Sequence, residues 1–511
     1  MDKSSKTKGV EPEPVKKDEK VLKIIDEYDY KSKDITINVT VAKKVGEYVP
    51  IYEVSIASIS NTTQLVLEKI RQELIKRVNL GMLDMTDMKR SKHVEEKFEE
   101  AIGDLVSKYF PDLDDETKAF LKSYLVSKSL GLGDLELLMN DHQLEEVVVN
   151  DATDPVWVYH KKHGWLKTSI FLKDEEQTKH YSSIVARKVG RQITVLEPLL
   201  DAHLEEGDRV NATLMPISTA GNTMTVRKFS RDPWTITKFI TSKTINSEAA
   251  ALIWMAMQYE MSALIAGGTA SGKTSALNVL ATFIPPNQRV ISIEDTREIK
   301  LPSFIHWVPM NTRLPNAEGK GEISMEDLLV NSLRMRPDRI LVGEVRRKRE
   351  AETLFEAIHT GHSVYATFHA NNAVEAIDRL TNSPINVPKI MLPAISLIIV
   401  QFRNRRTGMR RTFQIAEILP DATPHILMQY DHKKDELVKV NKSKILYNSL
   451  RLYTGYTDNE IEIELKEKRK VLDYLEKQNI ISVEGVGRVM AEYYTNKDDF
   501  MKFVKANKPL T

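Results

Sequence analysis

Eight consecutive residues near the middle of the chain have the composition of an anion-binding loop, and they read Gly-Gly-Thr-Ala-Ser-Gly-Lys-Thr. The glycines allow backbone N–H groups to converge on an anion without Cβ collisions, and a helix that starts here adds partial positive charge. The apolar segment Ser262–Ala266 precedes the loop and the helical pattern Ser275–Ala281 follows it, which is the strand–loop–helix context that a phosphate loop requires. Lys273 is expected to contact the outer phosphates of a nucleoside triphosphate such as ATP, and Thr274 to ligate Mg²⁺. The candidate nucleotide-binding residues are Gly267, Gly268, Thr269, Ala270, Ser271, Gly272, Lys273, Thr274 and Ser275.

Carboxylates follow two further apolar segments that have the pattern of buried strands. Glu294 and Asp295 come directly after one of them, and Glu344 follows the other. Many P-loop proteins have a metal-coordinating Asp where this chain has Gly343, so the metal shell must be completed by water and by one of these three acids. Glu344 is predicted to be the water-activating base, and Glu294 and Asp295 to support metal and water, with Thr274 and Glu294 as the metal ligands. The alternative is that these are solvated acids at strand ends.

Two histidines flank a fourth apolar segment, with His362 before it and His369 after it. A single histidine is usually packed or solvated, but this pair brackets a strand that is predicted to lie beside the phosphate loop. Both histidines are therefore candidates for sensing the γ-phosphate or for coupling. A zinc site is disfavoured because the spacing matches no zinc pattern and the chain has no cysteine.

Length and composition limit the class of protein. A chain of 511 residues is too long for a single core and favours two or three domains. Lys and Arg number 73 and Asp and Glu number 72, which gives a net charge of +1 and argues against a dedicated nucleic-acid binder. The absence of cysteine excludes disulfides and cysteine-ligated metals. No apolar run reaches the roughly 20 residues that a bilayer requires, and the first residues do not read as a signal peptide.

Composition and periodicity divide the chain into four parts. Residues 1–20 are predicted to be a disordered tail, because they alternate Lys with acids and Pro. Residues 21–228 are predicted to form a small helical bundle, over Asn61–Leu130, and an α+β domain. Residues 229–236 are predicted to be a linker, and residues 237–511 an α/β domain in which a parallel sheet carries the phosphate loop and a helical extension follows. Thr457 and Glu460 form a predicted capping box, and the glycine pairs Gly131/Gly133 and Gly485/Gly487 are interpreted as turns.

Taken together, these segments resemble the secretion ATPases that power type II secretion, type IV pili and the archaellum, and they are most similar to the archaellum motor ATPases. The motifs that carry the resemblance are the phosphate loop Gly267–Thr274, the "Asp box" Ile293–Glu298, the modified Walker B segment Arg336–Arg346 and the "His box" Thr360–Ala370. The Walker B segment ends in Gly-Glu-Val-Arg, with Gly in the usual place of Asp, and this sequence is typical of that family. The resemblance covers roughly residues 140–420.

The resemblance implies a ring of six subunits. Each subunit would pair a C-terminal RecA-like domain with an N-terminal PAS-like domain that follows the helical bundle, and nucleotide would lie between the two domains. It implies that Arg209 and Arg227 act on the phosphates of the nucleotide, and Arg334 and Arg346 are further candidates. It also implies a cytoplasmic enzyme at the inner face of the membrane, whose partners are a polytopic membrane platform protein and accessory cytoplasmic archaellum proteins.

Two other classes of function stay open. RecA-like rings also move nucleic acids, and the chain has a basic cluster between Arg403 and Arg411. Asn404–Gly408 is predicted to be a hairpin turn, however, where exposed arginines are common, so no nucleic-acid partner is expected. The other alternative is a nucleotide-gated scaffold with little turnover, against which Glu344 argues. An archaeal type IV pilus ATPase and a type II-like secretion ATPase are the alternatives within the family.

Overall fold

The computed structural model describes residues 21–32, 35–56, 61–77, 88–204, 207–229, 233–315 and 319–509. The chain divides into two compact units, Met1–Phe229 and Ser230–Thr511. The predicted tail, residues 1–20, and part of the predicted linker, residues 230–232, lie outside the described residues. Within the described ranges, no helix is both long enough and apolar enough to span a bilayer.

The first unit is built on a nine-stranded sheet with the strand order β1-β2-β3-β6-β5-β4-β9-β8-β7. Its pairs are antiparallel except β3 with β6, which are parallel. The strands are β1 Val21–Ser32, β2 Ile35–Lys44, β3 Ile51–Ile56, β4 Leu144–Val149, β5 Trp157–His160, β6 Gly164–Thr168, β7 Leu199–His203, β8 Arg209–Thr213 and β9 Thr223–Arg227. The helices are α1 Asn61–Arg77, α2 Met88–Tyr109, α3 Asp115–Leu130, α4 Asp134–Asn140 and α5 Glu175–Lys188.

The resemblance implied a helical bundle that precedes the α+β part of this unit, but the bundle follows three strands of the same sheet. Strand β1, for which no element was predicted, pairs with β2 from Val21 to Ser32 and extends the sheet at its outer edge. The bundle helices α1, α2 and α3 share a core of Leu, Ile, Phe and Val side chains, and Ile37 of β2 belongs to the same core. The bundle is therefore an insertion that packs on the strands before it.

The second unit contains another nine-stranded sheet and most of the helices. Its strands are β10 Ala263–Gly267, β11 Val290–Glu294, β12 Trp307–Asn311, β13 Arg339–Val345, β14 Ser363–Phe368, β15 Leu397–Arg403, β16 Arg410–Ile418, β17 Pro424–Asp431 and β18 Glu436–Lys439. Its helices are α6 Ile236–Thr241, α7 Ser247–Gln258, α8 Lys273–Ala281, α9 Met325–Ser332, α10 Lys348–His359, α11 Ala373–Thr381, a 3-10 helix Lys389–Ala394, α12 Ile445–Thr454, α13 Asp458–Lys477, α14 Val483–Thr495 and α15 Lys497–Ala506.

The order of strands in this sheet is β12-β11-β13-β14-β10-β15-β16-β17-β18. The strands from β12 to β15 are parallel, and β15 to β18 are antiparallel. Helices cover both faces, because alternate residues of β10 enter two different cores. Ala263 and Ile265 pack in a core with α7 and α8, whereas Leu264 and Ala266 pack in a core with α9, α10 and α11. This mixed α/β architecture with a doubly covered parallel sheet agrees with the fold class that the apolar strands predicted.

The C-terminal helices pack against the first of these two cores. Helix α13 begins at the predicted capping box, in which the Thr457 hydroxyl accepts from the Glu460 N–H and the Glu460 carboxylate accepts from the Thr457 N–H. The interpretation of Gly485 and Gly487 as a turn is wrong, because both lie in α14. A Cβ on Gly487 would approach the Pro302 side chain to 2.3 Å, so glycine is needed there for close packing.

Candidate active site

The phosphate loop connects the end of β10 to the start of α8, as its sequence predicted. Gly272 immediately precedes the helix with φ of +90°, a left-handed conformation that glycine adopts without strain. A Cβ on Gly267 would lie 2.7 Å from the Gln401 carbonyl oxygen and 2.3 Å from the Ser271 hydroxyl, so no larger side chain fits at this position. The loop is therefore compact, and its amides precede a helix N-terminus that favours an anion.

Lys273 is the cation of this loop and is held inside it. Its side chain is buried, and its Nζ donates to the Gly268 carbonyl oxygen at 3.0 Å. The Ser271 hydroxyl donates to the same oxygen at 2.8 Å. These contacts position a positive charge within the loop, where the outer phosphates of a nucleotide require it.

Parallel pairing brings the other candidate residues to the edge of the sheet where the loop lies. Strands β11, β13, β14 and β10 are consecutive neighbours and run in the same direction. Their carboxyl ends therefore lie at one edge, with Glu294, Glu344, His369 and Gly267 at or near those ends. Ligand sites of open α/β sheets lie at this edge.

Glu344 lies in a β-bulge, which the sequence did not predict. The register of β13 with β14 shifts between the pairs Val342–Ala366 and Val345–Phe368, so β13 has one extra residue here. Such a bulge redirects a side chain at the end of a strand. Gly343 forms part of it, and a Cβ there would meet Glu294 Cα at 3.3 Å and Glu294 Cγ at 3.4 Å. Glycine at this position therefore lets β13 approach the end of β11.

The two oxygens of Glu344 have different surroundings. Oε2 accepts from Arg346 Nη2 at 2.6 Å and from Arg346 Nε at 3.0 Å, and Arg346 Nη1 donates to Asp295 Oδ2 at 2.7 Å. Oε1 is buried and lies 3.0 Å from His369 Nε2, but none of the described residues has a donor aligned on it for a hydrogen bond. One oxygen of Glu344 is thus anchored by a cation, and the other can accept a proton from water.

Glu294 is buried at the end of β11. Its Oε1 accepts from the N–H groups of Glu298 and Ile299 at 2.8 and 3.0 Å, and within the described ranges its Oε2 has no hydrogen-bond partner. Burial raises the pKa of Glu294 from 4.5 to about 7. A hydroxyl at Thr274 and an unsatisfied carboxylate oxygen are hard oxygen donors of the kind that Mg²⁺ prefers, so these residues fit the predicted metal.

The structure brings one of the two predicted histidines to this edge but not the other. Burial and the charge of Lys273 lower the pKa of His369, which follows β14, although Glu344 opposes this effect. His362 precedes β14, and its Nδ1 lies 3.2 Å from the Ala357 carbonyl oxygen at the end of α10. Because β14 is parallel to β10, His362 lies at the opposite edge of the sheet from the phosphate loop. The expectation that His362 lies beside the nucleotide site of its own unit is therefore wrong.

The two predicted arginines of the first unit are neighbours on adjacent strands. Arg209 of β8 and Arg227 of β9 are cross-strand partners, and both are exposed. Arg209 forms a bidentate pair with Asp201, with Nε–Oδ1 of 3.0 Å and Nη2–Oδ2 of 2.6 Å. On the other side of β9, Glu146 of β4 is the partner of Arg227 in register. Each of these arginines therefore has a carboxylate beside it within the first unit, Asp201 for Arg209 and Glu146 for Arg227.

Sequence reasoning missed two features of the site. Arg346 was only a secondary candidate, yet it connects two of the predicted acids, Glu344 and Asp295. Arg410 was grouped with a basic hairpin, yet its Nε donates to the Ala270 carbonyl oxygen of the phosphate loop at 3.2 Å. The position of Arg346 two residues after Glu344 was a usable signal, but the contact of Arg410 depends on tertiary structure.

A glycine-rich phosphate loop between a strand and a helix, with carboxylates at the neighbouring strand ends, defines a P-loop nucleotide-hydrolysing protein. The sequence model of the family described as "Type II/IV secretion system protein" matches residues 138–412. The chain belongs to this family, and it is an ATPase.

Relatives of the chain occur in archaea and bacteria. An uncharacterized protein of Methanocaldococcus jannaschii is 34% identical over 389 residues, which are 72% of this chain and 70% of that protein. A second protein of that organism is 39% identical over 378 residues, and this chain spans about half (49%) of its length. The type IV secretion system protein PtlH of Bordetella pertussis is 29% identical over 307 residues, 53% of this chain and 89% of PtlH. Among solved structures, the pilus retraction motor PilT is 20% identical over 70% of this chain and 96% of PilT, with a TM-score of 0.41.

Proposed function

We propose that this chain is the subunit of a hexameric motor that hydrolyses ATP to drive assembly or rotation of an archaellum, a filament of the type IV pilus kind. The observation that supports ATP hydrolysis most strongly is the placement of Glu344 at the carboxyl edge shared with the phosphate loop, with one buried oxygen that can accept a proton. The resemblance of the four motifs to archaellum motor ATPases supports the choice of filament.

The residues of the second unit have separate roles in the proposed reaction. Backbone amides of the phosphate loop and Lys273 hold the phosphates, and Thr274 and Glu294 would hold Mg²⁺, which neutralises charge on the phosphate oxygens when bound. Glu344 takes a proton from the attacking water through Oε1. Arg346 and Asp295 orient Glu344 through its other oxygen. His369, whose pKa is lowered by burial and by the charge of Lys273, lies beside the same carboxylate and is proposed to respond to the third phosphate.

The two arginines of the first unit are proposed to act on the nucleotide as well. Arg209 and Arg227 present adjacent guanidinium groups on exposed strand positions. Arginines that contact transferring phosphoryl groups stabilise charge in the transition state and can contribute roughly 10³–10⁵ in rate. What supports this role is the resemblance of their sequence positions to those of the family, together with the exposure of both side chains.

ATP turnover tests the assignment of the site. Lys273→Ala is expected to abolish ATP binding and turnover, and Glu344→Gln to reduce kcat by roughly 10²-fold or more while ATP still binds. Glu352→Gln is the matched control, because Glu352 is an exposed helix residue that pairs with Lys348 at 3.6 Å. If Glu344→Gln turns over ATP at the rate of Glu352→Gln, Glu344 is not the base.

The oligomer and its partners need separate experiments. Light scattering with ATP and Mg²⁺ should give the mass of six subunits, and a monomeric mass during turnover would contradict the ring. We propose that the motor works in the cytoplasm at the inner face of the membrane, on a polytopic platform protein with accessory archaellum proteins. Deleting the gene should abolish swimming and remove archaella from electron micrographs. Loss of adhesive pili with normal swimming would instead favour the pilus ATPase alternative, and impaired protein export the type II-like one.

A nucleic-acid translocase is the alternative from another class. Its sequence support was the basic cluster between β15 and β16, but Arg411 of that cluster pairs with Asp435 at 2.7 and 2.9 Å. That arginine therefore has an internal counter-ion. Turnover that is not stimulated by DNA or RNA is expected, and stimulation that falls steeply with salt would favour the translocase.

A further inference from the structure

Arg410 belongs to the arginine-rich hairpin of β15 and β16, but its side chain lies against the phosphate loop. Its Nε donates to the Ala270 carbonyl oxygen at 3.2 Å, and its Cδ lies 3.6 Å from where a Cβ on Gly272 would be. The side chain therefore runs along the start of α8. It reaches the loop from β16, which is separated from β10 by β15.

The neighbouring arginine shows that this contact is specific to Arg410. Arg411 is buried and bonds to the Asp435 carboxylate and the Ser242 carbonyl oxygen. Arg410 is only half-buried, and among the described residues no carboxylate lies within ion-pair distance of it. Its cross-strand partner is Arg403, another cation, so the strand pairing gives Arg410 no counter-ion. The guanidinium group of Arg410 can therefore contact a ligand bound at the loop.

Lys273 and Arg410 contact different parts of the loop. Lys273 Nζ bonds to the Gly268 carbonyl oxygen, whereas Arg410 Nε bonds to the Ala270 carbonyl oxygen and the Arg410 side chain lies beside Gly272. When the loop amides and Lys273 hold the phosphates, the ribose and the base must extend away from them, and Arg410 is a further cation of the same unit that lies against the loop. A planar guanidinium stacks on aromatic rings and donates hydrogen bonds to ribose oxygens.

We propose that Arg410 contacts the nucleoside half of the bound nucleotide, packing on the purine or the ribose, and that it contributes nothing to the grip on the phosphates. This inference rests on the proposed function, since it requires the phosphate loop to bind ATP. It adds a positioning contact from the same unit that carries the loop. Arg410 is then part of the ATP site and not of a nucleic-acid surface.

The test compares ligands with and without a nucleoside, using ADP and inorganic pyrophosphate, both with Mg²⁺, in calorimetric titrations of the full chain. Arg410→Ala should weaken the affinity for ADP by roughly tenfold, which corresponds to about 1.4 kcal/mol, and leave the affinity for pyrophosphate unchanged. Arg406→Ala is the matched control, because Arg406 is exposed in the turn of the same hairpin and should bind both ligands as the wild type does. Arg410→Lys keeps a donor for the Ala270 carbonyl oxygen but loses the planar guanidinium group. It should weaken the affinity for ADP by less than Arg410→Ala does.

The possible results separate this inference from the proposed function. If Arg410→Ala weakens the binding of ADP and of pyrophosphate equally, Arg410 acts through the loop or the phosphates, and the inference is wrong. Unchanged affinity for both ligands also overturns it. If the wild type binds neither ligand, the proposed nucleotide site itself fails. Circular dichroism of each variant shows whether it is folded, and Arg410→Lys carries the test if the alanine variant is not.

Discussion

Gly343 offers a direct test of how the acidic edge of the site is built. A Cβ at this position would lie 3.3 Å from Glu294 Cα, 3.4 Å from Glu294 Cγ and 3.4 Å from the Ile293 carbonyl oxygen. Two of these three atoms belong to the backbone of β11, so a side-chain rotation cannot relieve the contact. Gly343→Ala should therefore lower the free energy of unfolding of the second unit by about 1–2 kcal/mol, the usual cost of mild overpacking.

An aspartate at the same position adds a charge to the steric cost. Its carboxylate would lie beside Glu294, whose burial raises the pKa to about 7. Two like charges at about 5 Å and an effective dielectric constant of 20 repel by about 3 kcal/mol, but protonation of Glu294 at pH 8 costs only about 1.4 kcal/mol and relieves this repulsion. Gly343→Asp should thus destabilise by about 3–4 kcal/mol at pH 8, and Gly343→Asn, which has the same shape without the charge, by about 2 kcal/mol.

Urea denaturation at pH 8, followed through the unfolding of the second unit, measures these differences in the free energy of unfolding. The decisive quantity is the difference between the Asp and Asn variants, because their steric costs are similar. If Gly343→Asp is as stable as Gly343→Asn, the repulsion from Glu294 is absent and the geometry described here is wrong. If Gly343→Ala is as stable as the wild type, β13 does not need glycine for its approach to β11.

Two further predictions concern buried ionisable groups of the second unit. Folding raises the pKa of Glu294 from 4.5 to about 7, so the folded chain binds this proton more tightly than the unfolded chain, and the free energy of unfolding falls as the pH rises from 4.5 to 7. Glu294→Gln should remove up to about 3 kcal/mol of this pH dependence in urea titrations. An unchanged pH profile would contradict the raised pKa of Glu294. Lys468 is fully buried between Trp254 and Tyr493 and donates to Glu464 at 2.6 Å. Lys468→Met should cost roughly 3–5 kcal/mol, because it leaves the buried Glu464 carboxylate without a counter-ion. Lys468→Met combined with Glu464→Gln should cost clearly less, and additive costs in a double-mutant cycle would refute this coupling.

The main features of the second unit could be predicted because they depend on local sequence and on one topological rule. Gly267–Thr274 specifies its own turn, since glycine supplies the left-handed conformation at Gly272 and the following residues start a helix. The placement of Glu294 and Glu344 at one edge follows from apolar strands that must be parallel. Neither inference requires knowledge of distant contacts.

The features that were missed depend on contacts between residues far apart in sequence. The bulge at Gly343 and Glu344 exists only in the pairing of β13 with β14, so no pattern within β13 reveals it. Gly487 looked like part of a turn because the reason for its glycine, contact with Pro302, lies 185 positions earlier in the chain. His362 differs from these cases, because the parallel rule that places Glu294 and Glu344 at one edge also places a residue before β14 at the other edge, so this error did not require knowledge of distant contacts.

The site combines parts that are held by the backbone with parts that are held by side chains, and the energies of the two differ. The phosphate loop and Glu294 are fixed by backbone conformation and by backbone N–H donors, so they are preformed before a nucleotide binds. Glu344 and Asp295 are instead held by Arg346, whose side chain is 55% exposed. Ion pairs of such exposed groups contribute only about 0–1 kcal/mol each, so a bound phosphate can attract Arg346 at small cost. The groups proposed to bind the nucleotide therefore belong to rigid elements, whereas Glu344, the proposed water-activating carboxylate, is held by a contact that a bound phosphate can rearrange.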